Sequence, residues 1–348
     1  MKTKRNSFRR VVRRVLLVAF IIVPVVLLDG SYVAEQGVGF FSDLLRAQPN
    51  HIAAQRWPEY VDFLAEAAAI RRFGVEELGL SETRSYTRFI NTPKDHVAFV
   101  VSAARPLSFE RKLWRYPLVG TVPYKGFYSE QSALREAARL EAQGWEPLVR
   151  KVGAFSSLGY AADPLYSYMS SYHPERIASL LLHEMTHATI WVRGDAALNE
   201  AIATYVGDRG ALAYLEHRYG MASTIVAEAH RRQADRGRFT EFLQGVASRL
   251  EGVYARDNSD AWKRAQREAI LAEEKRRFEL GYTHWFGSDG YRGLLDRPLT
   301  NAYLDLFRVY NADVELVTDY HDTLNTDLAD LVVTLKGLAE TTNLRIAL

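Results

Sequence analysis

His183-Glu184-Met185-Thr186-His187 sets two histidines four positions apart with a glutamate beside the first. On a helix of about 3.6 residues per turn, positions i and i+4 share a face, so both imidazoles can reach one metal ion. Glu184 lies about 100° away around the axis, where it is poorly placed as a ligand but able to polarise a water held at that metal. Nine histidines occur in 348 residues. At that content chance produces this pattern on the order of once in a hundred chains, so a solvated helix with stray histidines is the weaker reading. The flanks favour a helix: Pro174 suits a first turn, Glu175 complements the dipole, and no Pro or Gly interrupts residues 177–192 before Gly194. Leu180, Leu181, Leu182, Met185, Ile190 and Trp191 surround the histidines, which predicts a buried helix. A buried imidazole pair needs partners, and one zinc ion satisfies both rings.

Catalytic zinc sites commonly have three protein ligands and an open fourth position. Glu200 supplies the third. Gly194-Asp195 reads as a turn with Asp195 capping a second helix, so the chain leaves His187 by roughly 9 Å and returns by roughly 7 Å at Glu200. By the same spacing Asp195 is stranded at the turn, and Asp208 overshoots by roughly 12 Å, which leaves it a supporting role. The competing reading of Glu200 is a first-turn carboxylate favoured by the helix dipole.

Leu198-Asn199-Glu200-Ala201-Ile202-Ala203-Thr204-Tyr205 resembles the second zinc-binding helix of gluzincin aminopeptidases, where an Asn-Glu pair follows HExxH. The closer resemblance is to a bacterial family of zinc aminopeptidases that joins these two helices by a similarly short connection. It extends over Gln36-Gly37, Leu44-Leu45, the blocks at 115–120 and 124–127, residues 154–160, Asp163-Pro164-Leu165, and Asn301-Ala302. The resemblance implies a zincin-like α+β metallopeptidase fold, mostly helical with a small mixed sheet, and zinc-dependent hydrolysis of peptides from the amino end. One departure stands out. The larger aminopeptidases grip the substrate amine with a Gly-x-Met-Glu-Asn loop, and none of Met1, Met169, Met185 and Met221 sits in one. An endopeptidase for one dedicated client therefore stays open.

Peptidases of this kind commonly bind substrate along a sheet edge, and residues 148–160 read as such an edge or as an ordinary core strand. Tyr160, Asp163 and Tyr166 lie where that strand turns toward the helix, and Asp163-Pro164 is a turn signal in its own right. An oxyanion donor is also needed. His173, His284, Tyr303 and Tyr310 are candidates, with Tyr310 preferred because it shares a helix face with Tyr303. The full site expectation is thus His183, His187 and Glu200 on one Zn2+, Glu184 and Tyr310 in catalysis, and Asn199, Asp208, Tyr160, Asp163 and Asn301 supporting the ligands or touching substrate.

Residues 1–14 hold seven basic residues and no acid, and residues 15–28 are apolar and uncharged. Fourteen helical residues cover roughly 21 Å, short of a bilayer core of roughly 30 Å, so this is a signal region or a short anchor. The Leu28-Asp29-Gly30-Ser31 stretch has no Ala-x-Ala site, which favours an anchor. The expected organisation is a basic cytoplasmic leader at 1–14, an anchor at 15–31 in the inner membrane, and a metallopeptidase domain at 32–348 facing the periplasm or exterior. Setting aside the leader's seven basic residues leaves 37 basic against 42 acidic residues, a net charge of −5. A slightly acidic body gives nucleic acid no electrostatic attraction. With no cysteine in the chain, both a disulfide framework and a lipoprotein cysteine are excluded. The body reads as helices to residue 79, short strands at 96–101, 116–124 and 148–160, a helix after Ser129, and a helical remainder with a long amphipathic hairpin at 223–280. A rival from another class is a noncatalytic zincin fold that binds a partner.

Overall fold

Helix breakers and periodic apolar stretches divide the chain into a strand-bearing first half and a helical second half. The computed structural model describes residues 39, 42–43, 45–116, 120–153, 162–341 and 344–347. The leader, the expected anchor and Tyr160 lie outside them, as does the side chain of Tyr310. No helix among the described residues is long and apolar enough to cross a membrane.

The first half runs β1 Gln48–Pro49, α1 Asn50–Arg56, α2 Val61–Glu76, β2 Arg88–Ile90, β3 Ala98–Ala104, β4 Trp114–Tyr116, β5 Gly120–Val122, β6 Lys125–Phe127, α3 Glu130–Glu141, β7 Glu146–Val152 and β8 Leu165–Tyr166. The second half is α4 Pro174–Thr189, α5 Ala196–Tyr219, α6 Thr224–Tyr254, α7 Asp260–Trp285, α8 Asn301–Leu324, α9 Leu328–Thr341 and α10 Leu344–Ala347. The chain is therefore mostly helical with small sheets, an α+β architecture.

β3 is the middle strand of the antiparallel sheet β6-β3-β7, and all seven of its residues are buried. Alternation fails there because α3 covers one face: Phe99, Val101 and Phe127 of the sheet share a core with Ala133 and Leu140 of α3. Ser129 caps α3 by accepting from Ser132 N at 3.3 Å, and Gly144 just past its end takes φ +77°, a conformation favoured by glycine. The expected strand at 148–160 begins two residues earlier and is described to Val152, at one edge of its sheet. A second sheet, β1-β2-β8, was not legible in the sequence. In it β2 pairs parallel with β8, Phe89 opposite Leu165.

The hairpin expected at 223–280 is α6 and α7, broken at residues 255–259 and restarted by Ser259 as N-cap. Phe242, Leu243 and Val246 of α6 meet Phe278 and Tyr282 of α7 in a core separate from the larger one. That larger core contains Leu181, Leu182 and Met185 of α4 and Ile202 and Val206 of α5.

Candidate metal centre

α4 starts as its sequence requires, with Pro174 in the first turn and the His173 ring accepting from Glu175 N at 3.3 Å. It ends at Thr189, where Ile190 turns extended with φ −125° and ψ 120°. That turn keeps Ile190 buried and sends Trp191 outward, so Trp191 is 49% exposed instead of buried with its neighbours. Its ring meets His187 edge-on at 6.2 Å. Gly194 then takes φ +80°, and Asp195 caps α5 by accepting from Leu198 N at 3.1 Å.

α5 lies close along α4 because Gly207 lets it. A Cβ at Gly207 would stand 2.8 Å from Ser179 O and 3.0 Å from His183 Cβ. Asn199, almost fully buried, fixes the entry to α5: its Oδ1 accepts from Val192 N at 2.7 Å and its Nδ2 donates to Val192 O at 2.8 Å. Both backbone groups of Val192 are thereby satisfied. Glu200 follows directly and returns beside the histidines.

His183, His187 and Glu200 converge with potential ligand atoms all within 4.8 Å of one another. The two Nε2 atoms are 3.1 Å apart, His187 Nε2 is 3.4 Å from Glu200 Oε1, and His183 Nε2 is 3.6 Å from Glu200 Oε2. Three ligands at about 2.0–2.1 Å on a tetrahedral ion stand about 3.3 Å apart, so this spacing suits a small metal ion. The His187 side chain is 6% exposed and that of Glu200 is 39% exposed, which makes the trio open on the Glu200 side. Two imidazoles and a carboxylate form a nitrogen-and-oxygen donor set that fits zinc.

The charges agree with this geometry. Burial opposes a charged His183, yet hydrogen bonding to Glu200, with the fields of Glu184, Glu200 and Asp208, raises its pKa above the ordinary imidazole value. Burial also opposes the Glu200 carboxylate, but hydrogen bonds from His183 and His187 bring its pKa down to about 2. Glu184 is half-buried, and among the described residues its carboxylate makes no hydrogen bond. Asp208 accepts from Ser179 Oγ at 2.7 Å and from Arg236 at 2.8 Å, one helical turn from His183. It therefore acts on His183 through its field and its tie to α4.

The remaining expected site residues are distributed differently. Asn301 is fully buried, but its amide donates to Arg105 O at 2.8 Å and to Pro106 O and Ser108 O at 3.1 Å, and its Oδ1 accepts from Tyr254 at 3.0 Å. It holds the 105–108 turn onto α8. Tyr303 packs against Phe307 in the α6–α7 core, and the His173 ring points to Glu228 at 3.6 Å. Asp163 sits before β8, where its carbonyl accepts from Tyr86 N at 2.6 Å. Two tyrosines lie within electrostatic reach of the centre: Tyr124, which opens the 124–127 block, and Tyr86, which no motif marks. Burial and the charge of Glu200 raise the Tyr124 phenol. Burial and then the charges of Glu184 and Asp163 push Tyr86 well up. Tyr86 precedes β2, so only the pairing of β2 with β8 could have revealed it.

A family model described as "Putative aminopeptidase" matches residues 35–346. No curated protein and no solved structure matches. The match spans both helices of the centre and nearly all of the chain, which therefore belongs to this aminopeptidase family.

Proposed function

We propose that the chain is a zinc-dependent aminopeptidase in which His183, His187 and Glu200 hold one Zn2+ and Glu184 is the general base. The observation that carries this reading is the convergence of the two Nε2 atoms and the Glu200 carboxylate at 3.1–3.6 Å, with Glu184 one position from a ligand. When bound, zinc supplies Lewis-acid polarisation of a carbonyl and acidifies water. Glu184 then accepts the proton of the attacking water and delivers it to the leaving amine. Its lack of hydrogen bonds among the described residues leaves the carboxylate ready for that proton. Asp208 and Asn199 hold α5 against α4 and so keep Glu200 in register with the histidines.

Glu184→Gln tests the assignment without touching a ligand. We expect metal content to stay near one zinc per chain and peptide hydrolysis to fall about 10²-fold or more. Cleavage that survives in a fully loaded variant would rule Glu184 out as the base. If the wild-type protein binds zinc but cleaves no peptide, the family fold here serves binding and not hydrolysis.

A further inference from the structure

Trp191 is held outward by the residues on either side of it. Ile190 is buried, with its N–H donating to Thr186 O at 2.8 Å, and Val192 is buried, with both backbone groups in the Asn199 clamp. Extended backbone, as at Ile190, sends successive side chains to opposite faces. Two inward neighbours therefore fix the indole outward, and half of it stays in solvent. A large apolar side chain on so firm a mount has little freedom left to lose when something packs on it, because only its two side-chain torsions remain.

Isolated apolar side chains at a surface are ordinary, and Met221 and Leu280 are more exposed than Trp191. What sets Trp191 apart is its place. Its ring meets the His187 ring edge-on, with 6.2 Å between centroids and 68° between planes. His187 Nε2 is in turn 3.1 Å from His183 Nε2 and 3.4 Å from Glu200 Oε1. The indole thus stands one imidazole away from the point where three ligand atoms converge, and that point is open on the Glu200 side. In a metal-dependent peptidase the scissile carbonyl must come to that point. The two side chains that flank it begin at Cα atoms within about 2.5 Å of the carbonyl carbon, so one of them falls within packing reach of a ring about 6 Å off. Charge decides which kind of side chain suits the place. The two positive charges of a bound zinc are matched by one negative charge each on Glu200 and Glu184, and Arg193 lies exposed two positions beyond Trp191. No surplus of negative charge is left to hold a cationic side chain against the indole, so its apolar face prevails.

We propose that Trp191 determines specificity: it receives the side chain of a residue flanking the scissile bond and favours apolar, above all aromatic, residues there. This role rests on the peptidase reading above, to which it adds a class of substrate.

The test compares kcat/KM for phenylalanyl-alanine, alanyl-phenylalanine, lysyl-alanine and alanyl-alanine in wild type, Trp191→Phe and Trp191→Ala at full zinc content. Separately, calorimetry measures the affinities of phenylalaninamide and alaninamide. Wild type is expected to favour at least one phenylalanine-containing dipeptide over both of the others by roughly ten-fold or more. Trp191→Ala should cut that preference roughly five- to thirty-fold through KM, and Trp191→Phe should keep most of it. A preference that survives intact in Trp191→Ala overturns the proposal. So does a wild type that has no such preference or prefers lysyl-alanine, and so does an equal loss on every peptide in Trp191→Ala, which is the signature of a damaged centre. If wild type cleaves none of the four, the peptidase reading fails and the amide affinities decide. Tighter binding of phenylalaninamide than of alaninamide, with the gap closed in Trp191→Ala, supports the apolar wall; no gap in wild type, or one that persists in the variant, sinks it. Should Trp191→Ala not fold, Trp191→Gln carries the same readouts.

Discussion

Asn199 shows how a residue adjacent to a ligand can matter without touching the chemistry. Its side chain closes a two-way hydrogen-bonded clamp on Val192, seven positions back, and so sets the distance between the end of α4 and the start of α5. Asn199→Ala strands a buried N–H and a buried C=O, each worth about 1–3 kcal/mol when unmade. The expected result is a fall in unfolding free energy of about 2–4 kcal/mol, measured by denaturant titration, with weaker zinc binding as Glu200 loses its register. Asn199→Asp should do no better, since it replaces the donor to Val192 O by an acceptor. A variant as stable as wild type would show that the clamp is incidental. Tyr86 is the opposite kind of residue. It gives up backbone comfort of about 1–2 kcal/mol in the left-handed region, and the pairing around Asp163 and Asn50 sustains it.

At the scale of elements, the α4–α5 hairpin depends on one absent side chain. Gly207→Ala brings a methyl against Ser179 O and the His183 side chain. We expect a loss of about 1–3 kcal/mol in thermal or denaturant unfolding, accompanied by weaker zinc affinity as α5 is pushed from the histidines. Gly237→Ala in α6 is the matched control, with nothing within 4 Å of the new methyl, and should be neutral or stabilise by about 0.4–1 kcal/mol. If both variants behave alike, close helix approach is not what Gly207 provides. The turn between these helices is held by charge as well. Arg345 of α10 hydrogen-bonds to Asp195 and keeps its carboxyl below the usual carboxylate range, while Asp195 also caps α5. A carboxyl depressed in the folded state stabilises fully above its unfolded pKa of about 3.9, and that contribution fades as pH falls below it. Asp195→Ala should therefore cost about 1 kcal/mol or more at pH 7, and the gap to wild type should narrow toward pH 3 in unfolding measurements.

For the whole molecule, the proposed zinc site predicts that metal occupancy and stability are linked. Zinc at a hundred times its Kd adds about 2.7 kcal/mol to the folded state. Chelation should lower Tm and abolish peptide hydrolysis, and added zinc should restore both; identical Tm and activity with and without chelator would remove zinc from the account. The parts of this architecture that the sequence displays are those encoded within a few turns of chain: the i, i+4 histidines, the Gly194-Asp195 turn and cap, the return of Glu200, and the helical hairpin of α6 and α7. The parts that it hides depend on distant pairing. Asn301 has the neighbourhood of a family motif yet is committed to the 105–108 turn, and no local pattern marks Tyr86, whose position follows from β2 meeting β8. Trp191 departs from the buried helix its neighbours predict for a smaller reason: the helix stops two residues before it. This division between near and far has a consequence for how the molecule is made. The His183, His187 and Glu200 trio and Glu184 all lie within residues 183–200, a short loop to close, whereas Tyr86 joins its β2–β8 neighbourhood from about a hundred positions away at greater entropic cost. A newly synthesised chain that has docked only α4 on α5 already has these four side chains on neighbouring helices, before the distant strands close around them.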